Sequence, residues 1–287
     1  MTWEDLDARL DRVPGTISVY VGRLGARPTW TRRADATHYA ASTMKAAVLV
    51  ALYRAAEAGR LDLDDPVPVR NGFDSALAGA PRFANDQDYD NDEAVWARVG
   101  GNAPLRWLAE RMIIRSSNLA TNIVIDHVGL PAVAEAWTLA GARHSVTGRG
   151  IEDSAARESG IDNLVTAADL AALLGELALG ARRPGPLASP AGCASMLDVL
   201  FAQEHREDLA AGLPEGTRIA HKNGWIRGIR HGAGVVFPAD APPYTIVVCT
   251  TTDLADGGPS GEETDDACRL IADISAQVWA ARHELAD

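Results

Sequence analysis

Cysteine is scarce in this chain, and long apolar runs are missing from it. Cys193, Cys249 and Cys268 lie far apart and form none of the close pairs that bind zinc. We therefore expect three free thiols packed in the core. No stretch is apolar over the roughly 20 residues that cross a bilayer, so we expect no membrane partner.

Basic residues are also in short supply. Among 287 residues, 27 Lys and Arg stand against 39 Asp and Glu, which gives a formal net charge of -12 and a sequence pI near 5.0. A nucleic-acid-binding protein needs a clustered basic face, so nucleic acid is excluded as a partner. The apolar content of 47% is typical of a globular chain, and the length allows one large domain or two interleaved ones.

A secretory signal and a metal-binding pattern are missing as well. Residues 1–7 have neither a basic start nor an apolar run, so we expect a cytoplasmic protein, or a secreted or periplasmic one if a leader was removed. The seven histidines form no His-Glu-x-x-His pattern. We expect neither a metal nor another cofactor.

An acidic run over residues 86–93 is the one segment with a calcium-like pattern. An EF-hand loop that began at Asp86 would need glycine at Asn91 and glutamate at Ala97. Neither residue is present, so we interpret the run as a solvated loop.

The periodicity of apolar residues predicts strands near both chain ends and helices between them. The predicted strands cover residues 16–22, 29–31, 217–222, 232–238 and 244–252. These patterns predict an α+β fold, in which one antiparallel sheet is built from both chain ends and flanked by terminal helices. We expect residues 1–35 and 212–287 to form the sheet subdomain and residues 36–211 an inserted, mostly helical subdomain, with the active site at their interface.

Ser42-Thr43-Met44-Lys45 stands at the predicted start of a long apolar helix that Gly59 ends. The free N–H groups at a helix start favour negative charge on a serine or on an attached acyl oxygen. Lys45, one turn along the same face, can reach Ser42 Oγ and act as a base if its pKa is lowered. Alone, the pattern also fits a capping serine and an ordinary lysine.

Two further polar motifs interrupt apolar segments. Ser116-Ser117-Asn118 breaks a helical region, and alone it predicts a helix break with Ser117 or Asn118 as the next cap. The segment 221–224, His-Lys-Asn-Gly, ends a predicted strand, and alone it predicts a hairpin turn on Asn-Gly.

In this order, the three pieces resemble the Ser-x-x-Lys, Ser-Asp-Asn and Lys-Thr-Gly motifs of class A β-lactamases and penicillin-binding proteins. Supporting matches cover residues 41–45, 112–122 and 163–166. The sequence is identified as resembling the serine hydrolases related to class A β-lactamases, over roughly residues 15–280. The resemblance implies a class A β-lactamase-like fold.

The resemblance also implies a role for each polar side chain. Ser42 would be the nucleophile that forms an acyl-enzyme, and Lys45 the adjacent general base or proton relay. Ser116 would pass a proton to the leaving nitrogen, and Asn118 would hydrogen-bond the substrate amide and Lys45. Lys222 would assist that proton transfer and attract a substrate carboxylate.

The oxyanion hole implied by the resemblance consists of two backbone N–H groups, from Ser42 and from Trp225, which follows Gly224. Three residues depart from the family pattern. Ser117 replaces the common aspartate, whose main role is to brace the loop. Asn223 replaces a threonine that helps hold a substrate carboxylate, and Trp225 adds bulk beside the oxyanion hole. The preferred substrate therefore need not be a standard penicillin.

Deacylation is the step for which the sequence offers least. The family carries a Glu-x-x-Leu-Asn pattern whose glutamate activates water, and the matching segment here, 148–158, lacks it. Glu152 or Asp153 could serve, and Asn122 matches an asparagine that supports that glutamate. Both acids also fit solvated loop positions. Slow turnover is one expectation.

The predicted function is that of a serine acyl-hydrolase that opens a β-lactam or a related amide or ester through an acyl-enzyme on Ser42. The partner is a small-molecule substrate, and we expect a monomer. The alternatives are a cytosolic esterase, amidase or acyltransferase of the same fold, and a ligand-binding or sensing protein with little turnover. His221 and His231 are further candidates to line the cleft.

Overall fold

A five-stranded antiparallel sheet joins the two ends of the chain. The structure is a computed structural model that describes residues 2–257 and 265–286. The strands lie in the order β2 (Trp30–Arg32), β1 (Thr16–Arg23), β10 (Tyr244–Thr251), β9 (Ile229–Phe237) and β8 (Arg218–Ile226). Strands β1 and β10 pair along their whole length. The predicted sheet, built from both chain ends, is confirmed.

Apolar side chains cover both faces of the sheet. Alternate residues of a strand point to opposite faces. In β10, Val248 belongs to a cluster with α1 (Trp3–Leu10) and α10 (Asp266–Ala280), whereas Cys249 belongs to a cluster with the helices from the middle of the chain. One sheet therefore serves two apolar cores.

The terminal helices begin where short polar residues cap them. Thr2 and Asp5 form a capping box at the start of α1, and the Asp265 side chain accepts a hydrogen bond from the Cys268 N–H at the start of α10. Their apolar faces pack on the sheet through residues such as Leu6 and Ile271. The predicted terminal helices are confirmed.

The middle of the described chain is mostly helical. Its helices are α2 (Lys45–Glu57), α3 (Glu93–Trp96), α4 (Leu105–Ile114), α5 (Asn118–Val128), α6 (Leu130–Leu139), α7 (Ser154–Glu158), α8 (Ala167–Gly180) and α9 (Pro190–Phe201). Helix α2 is buried over most of its length, with α4, α5, α6 and α9 packed around it. A helix that is apolar on all sides belongs in a core. Helix α2 directly follows the segment that carries Ser42, so its burial fixes the position of Ser42.

Two predicted boundaries near the motifs are wrong. Ser42 does not begin the α-helix; it lies in a 3-10 helix, Ala41–Met44, and α2 begins at Lys45. The Asn-Gly pair is not a hairpin turn, because β8 continues through it to Ile226. The turn lies at Arg227 and Gly228, inside the segment 224–229 that the pattern of strands predicts as a turn, and the φ of 80° at Gly228 suits glycine. Packing at Gly224, described below, explains this outcome.

Two small sheets were not predicted. One contains β3 (His38–Tyr39), β7 (Asn163–Val165) and β6 (Val146–Thr147), and the other contains β4 (Pro66–Pro68) and β5 (Asn102–Pro104). Strands of two or three residues are too short to show an alternating pattern.

All three cysteines are free and buried, as expected. Cys193 and Cys249 belong to the core on the helical side of the sheet, and Cys268 lies in α10. Within the described ranges, no helix has the length and apolar character needed to cross a membrane.

Candidate active site

Three distant segments meet at the hydroxyl of Ser116. Ser116 Oγ lies 3.3 Å from Lys45 Nζ and 3.1 Å from Lys222 Nζ. Lys45 is the first residue of α2, Ser116 lies in the loop before α5, and Lys222 lies within β8. All three residues are buried, whereas Ser42 is half-buried in the 3-10 helix just before Lys45. The three sequence motifs converge on one site.

Lys45 is tied to the loop before α5 by its ammonium group. Its Nζ donates to Ser116 O at 2.7 Å and to Asn118 Oδ1 at 2.9 Å. Among the hydrogen bonds of the described residues, none joins Lys45 to Ser42. The expected direct contact is therefore not made, and Lys45 is positioned by its partners on the opposite side of the cleft.

Burial shifts both lysines towards their neutral forms. It lowers the pKa of Lys45 to about 7, against the opposing pull of Asp90 and Glu152. Burial and the nearby Lys45 charge hold the pKa of Lys222 well below its usual range. A neutral lysine can accept a proton, so Lys45 is suited to act as a base near neutral pH. The hydroxyl of Ser116 offers the path between the two amines.

Backbone strain is concentrated at the site. The described residues outside glycine include four with positive φ. Ala41 (44°) and Ser116 (60°) lie beside or within the motifs, and Glu152 (69°) has its carboxylate 3.4 Å from Asn118 Nδ2. Arg33 is the fourth. Such conformations cost about 1–3 kcal/mol each and persist where surrounding contacts impose them. Strain next to Ser42 and at Ser116 is consistent with a functional arrangement.

Gly224 allows the edge strand to approach Ser42. A Cβ atom at Gly224 would lie 2.7 Å from Ser42 N, which is closer than real Cβ atoms come to backbone, and it would make a tight 3.0 Å contact with Thr43 N. Only glycine fits here without a shift of the strand. The close approach brings Trp225, the next residue of the edge strand, beside the start of the 3-10 helix.

The Trp225 ring packs against polar side chains beyond β8. It lies edge-on to His205, with ring centroids 5.0 Å apart, and the Arg230 guanidinium stacks over it at 5.0 Å. Arg230 is buried and pairs with Glu207 at 2.7 Å. Asn223 is also buried, and its Nδ2 donates to His205 O at 3.3 Å. This end of the site is crowded, and its arginine is already paired.

The segment around residues 85–92 forms a wall of the site that the sequence did not reveal. Asp90 Oδ2 accepts hydrogen bonds from Ser117 Oγ at 3.1 Å and from Leu119 N at 2.8 Å. Tyr89 O accepts from Asn118 Nδ2 at 3.0 Å. These contacts join segments that lie far apart in the sequence, and no local pattern marked them.

The interpretation of residues 86–93 as a solvated loop is therefore wrong in part. Asp92 is buried, pairs with Arg111 and caps α3 by accepting from Ala94 N. Asp86 and Asp88, in contrast, are exposed. The four alternating aspartates look alike in sequence, but only Asp90 and Asp92 turn towards the protein.

The two candidate histidines are structural. His221 is fully buried, with neither ring nitrogen hydrogen-bonded, and burial lowers its pKa to about 3. His231 bonds Tyr39 O at 2.9 Å and packs against His38. Neither is hydrogen-bonded to Ser42, Lys45 or Ser116. Across residues 2–257 and 265–286, no group of three or more His, Cys, Asp or Glu side chains could hold a metal ion.

Comparison with known proteins gives the family. The sequence model of the beta-lactamase enzyme family matches residues 2–281. The chain belongs to this family. A curated beta-lactamase from Rhodobacter capsulatus is 32% identical over 132 residues, a match that covers 45% of this chain and 40% of that protein. The match thus spans less than half of the curated relative.

Solved structures share the fold of this chain. PBP-A superimposes with a TM-score of 0.77 at 23% identity, and the match covers 99% of this chain and 96% of the PBP-A chain. A beta-lactamase from Sphaerobacter thermophilus DSM 20745 superimposes with a TM-score of 0.74 at 23% identity. The match covers 98% of this chain and 97% of that protein. An ancestral class A beta-lactamase superimposes with a TM-score of 0.76 at 22% identity. The match covers 98% of this chain and 100% of the ancestral protein. The predicted fold is confirmed, and family and fold support a serine hydrolase in general.

Among the two acids considered for deacylation in this beta-lactamase-family chain, only Glu152 faces the site. Its Oε1 accepts from Asn85 Nδ2 at 2.9 Å and lies 3.4 Å from Asn118 Nδ2. Its Oε2 accepts from Asp86 N at 2.7 Å. Each carboxylate oxygen is thus engaged, so binding a water would require an additional or exchanged hydrogen bond.

Asp153 is excluded as a water-activating base. It is fully buried, caps α7 by accepting from Ala156 N, and accepts from Ser75 Oγ at 2.8 Å. Asn122 holds the same loop, but through the backbone of Ile151 rather than through Glu152: its amide accepts from Ile151 N and donates to Ile151 O, both at 2.8 Å. The loop is therefore anchored on both sides of Glu152.

Proposed function

We propose that this chain is a serine acyl-hydrolase that opens a β-lactam or a related amide or ester through an acyl-enzyme on Ser42. The observation that carries this proposal is the position of Ser116 Oγ, within 3.3 Å of Lys45 Nζ and 3.1 Å of Lys222 Nζ, next to a half-buried Ser42. A site for ligand binding alone has no need for two buried amines that share one hydroxyl, since burying such groups is costly.

Acylation uses the neutral amine of Lys45. Ser42 Oγ attacks the substrate carbonyl carbon while its proton passes to Lys45. Lys45 then gives a proton through Ser116 to the leaving nitrogen or oxygen as that bond breaks, and the charge of Lys222 favours this transfer. Two backbone N–H groups, of Ser42 and Trp225, stabilise the oxyanion. Lys45 is neutral again at the end, so acylation needs no cofactor.

Deacylation is the slower half of the proposed reaction. Glu152 is the carboxylate at the site, but both of its oxygens are held by Asn85 and Asp86. A general base must reach the proton that it abstracts, directly or through one water. A base that is held in this way acts less often, so we propose that the acyl-enzyme accumulates.

An acyltransferase or sensing role is the second candidate, favoured by the same engagement of Glu152. A variant of PBP-A, 24% identical to this chain, has been solved as an acyl-enzyme with penicillin-G. In such a role, the acyl group would pass to an acceptor other than water or would remain on Ser42.

The test is the intact mass of the protein over time after mixing with a panel of β-lactams and short acyl esters, with Ser42→Ala as the control. An adduct that forms on the wild type, is absent from the variant and decays as product appears supports hydrolysis. An adduct that persists supports transfer or sensing. If no member of the panel forms an adduct, or if Ser42→Ala is labelled equally, the proposal is wrong.

A further inference from the structure

The first turn of α5 lacks a carboxylate where the related motif, Ser-Asp-Asn, has one. A carboxylate at the N-cap position can accept hydrogen bonds from the backbone N–H groups of the second and third helical residues. In α5 the N-cap is Ser117, and those residues are Leu119 and Ala120. The Ser117 hydroxyl accepts from Ala120 N at 3.1 Å, which leaves the N–H of Leu119 to another acceptor.

Asp90 supplies that acceptor from a different part of the chain. Its Oδ2 accepts from Leu119 N at 2.8 Å and from Ser117 Oγ at 3.1 Å. Ser117 therefore donates to Asp90 while accepting from Ala120. The two side chains together provide what one N-cap aspartate provides, although they lie 27 residues apart.

The segment that Asp90 holds is the one that carries the chemistry. Ser116 is the strained residue directly before the N-cap, with a φ of 60°. Its carbonyl oxygen accepts from Lys45 at 2.7 Å, and its hydroxyl lies between the two lysines. Asn118, the first helical residue, bonds Lys45 on one side and Tyr89 O on the other. A shift of this turn would move both side chains relative to Lys45.

We propose that Asp90 is the positioning residue for Ser116 and Asn118, and that it replaces from a separate loop the carboxylate that the Ser-Ser-Asn motif lacks. The catalytic part of this inference rests on the proposed function. The structural part, the anchoring of the first turn of α5, does not depend on it.

Asp90 also acts on Lys45 through its charge. Asp90 and Glu152 both raise the pKa of Lys45 against the effect of burial, while Lys222 faces the same amine from β8. Removing the Asp90 charge lowers the pKa of Lys45 further. The acid limb of the acylation rate then moves to lower pH, which the loss of a purely structural brace would not cause.

The experiment compares Asp90→Asn, the double variant Asp90→Asn with Ser117→Asp, and Asp88→Asn as a matched control on the same loop. Asp88 is exposed, and its side chain makes no hydrogen bond among the described residues. The acylation rate of Ser42 is measured from pH 5 to 9, and backbone amide exchange at Leu119 and Ala120 is followed in parallel.

We expect Asp90→Asn to acylate about 10- to 100-fold more slowly, as misplaced catalytic groups do, with its acid limb at lower pH and with faster exchange at Leu119. Adding Ser117→Asp to Asp90→Asn should restore most of the acylation rate, the pH of its acid limb and the protection of the Leu119 amide from exchange. The control Asp88→Asn should match the wild type in all three. If Asp90→Asn matches Asp88→Asn, or if it slows acylation and Ser117→Asp restores nothing, the inference is wrong.

The two proposals can fail separately. If the wild type is never acylated, the proposed function falls, and amide exchange alone decides the anchoring role of Asp90. Faster exchange at Leu119 in Asp90→Asn, reversed by Ser117→Asp, then supports the anchor, and unchanged exchange overturns it. If the wild type is acylated and Asp90→Asn is not impaired, only the inference about Asp90 falls.

Discussion

Two buried lysines share one serine hydroxyl in this protein. Lys45 and Lys222 both approach Ser116 Oγ, and both have pKa values below the usual range for lysine. Two ammonium groups that close would repel each other and would be poorly solvated. The arrangement favours a state in which at least one amine is neutral, which is the state that a base needs.

The first prediction concerns pH. Because burial lowers the pKa of Lys45 to about 7, the amine is mostly protonated below pH 7 and mostly neutral above it. The acylation rate should therefore rise by about tenfold per pH unit below 7 and level off above 8. Single-turnover acylation of Ser42 from pH 5 to 9 measures this pH dependence of the rate. A rate that is flat between pH 5 and 7 would exclude Lys45 as the base.

The sequence predicts the role of a residue only where its type and its place in a motif are enough to indicate that role. The types and order of five residues match the motifs and predict their roles: Ser42, Lys45, Ser116, Asn118 and Lys222. The choice between Glu152 and Asp153 depended on which way each side chain turns, and adjacent acids in a loop give no sign of that. The same holds for Asp90, whose partners lie in another segment. Contacts between loops have no local pattern in sequence.

At the scale of elements, Gly224 decides how strand and helix meet. An Asn-Gly pair is a strong hairpin signal, yet β8 runs through it to Ile226. The glycine is needed because the backbone of Ser42 lies against it, not because the chain turns there. Tertiary packing thus overrode a local preference that the sequence displayed correctly.

The second prediction concerns Gly224→Ala. The added Cβ would lie 2.7 Å from Ser42 N, so β8 must move away from the 3-10 helix. Losing one oxyanion donor typically costs about 100- to 1,000-fold in rate, and we expect a loss of that order in acylation while the fold is kept. Gly175→Ala in α8, where the nearest atom is Thr245 Oγ1 at 3.7 Å, is the matched control and should leave the rate unchanged. Equal rates for the two variants would contradict the role of Gly224.

The third prediction concerns the loop that carries Glu152. Asn122 is buried and bonds Ile151 through both its donor and its acceptor. Asn122→Ala leaves the N–H and C=O of Ile151 without these partners, so we expect a loss of about 2–4 kcal/mol in the free energy of unfolding. Urea denaturation measures it, with the exposed Asn102→Ala as the control. A loss below about 0.5 kcal/mol would mean that the loop is held by other contacts.

At the scale of the whole molecule, one sheet separates two apolar cores. Leu10 lies in the core beneath the terminal helices, and Leu52 lies in the core around α2. The strands between them are buried on both faces. The sheet was predicted because strand patterns at both chain ends are long enough to show a period, whereas the two small sheets are not. The proposed division at residues 35/36 and 211/212 remains a prediction.

The fourth prediction is that both cores unfold together, because they share the same strands. Leu10→Ala and Leu52→Ala each leave a cavity in a fully buried position and should each cost about 2–5 kcal/mol. Each variant should unfold in a single transition with a lowered midpoint, and that midpoint should be the same by tryptophan fluorescence and by far-UV circular dichroism. The exposed Val99→Ala serves as the control. Two separate transitions in either variant would show that the cores are independent.

The pairing of β1 with β10 sets a delay during synthesis on the ribosome. The partner of the first long strand lies roughly 220 residues further along the chain. At about 5–20 residues per second, β1 waits on the order of 10–45 s before β10 has been made. During that time the apolar side chains of β1 have no native neighbour strand on that edge, so the nascent chain is exposed to wrong pairing. Pairing along this edge of β1 therefore cannot be completed until β10 has been made.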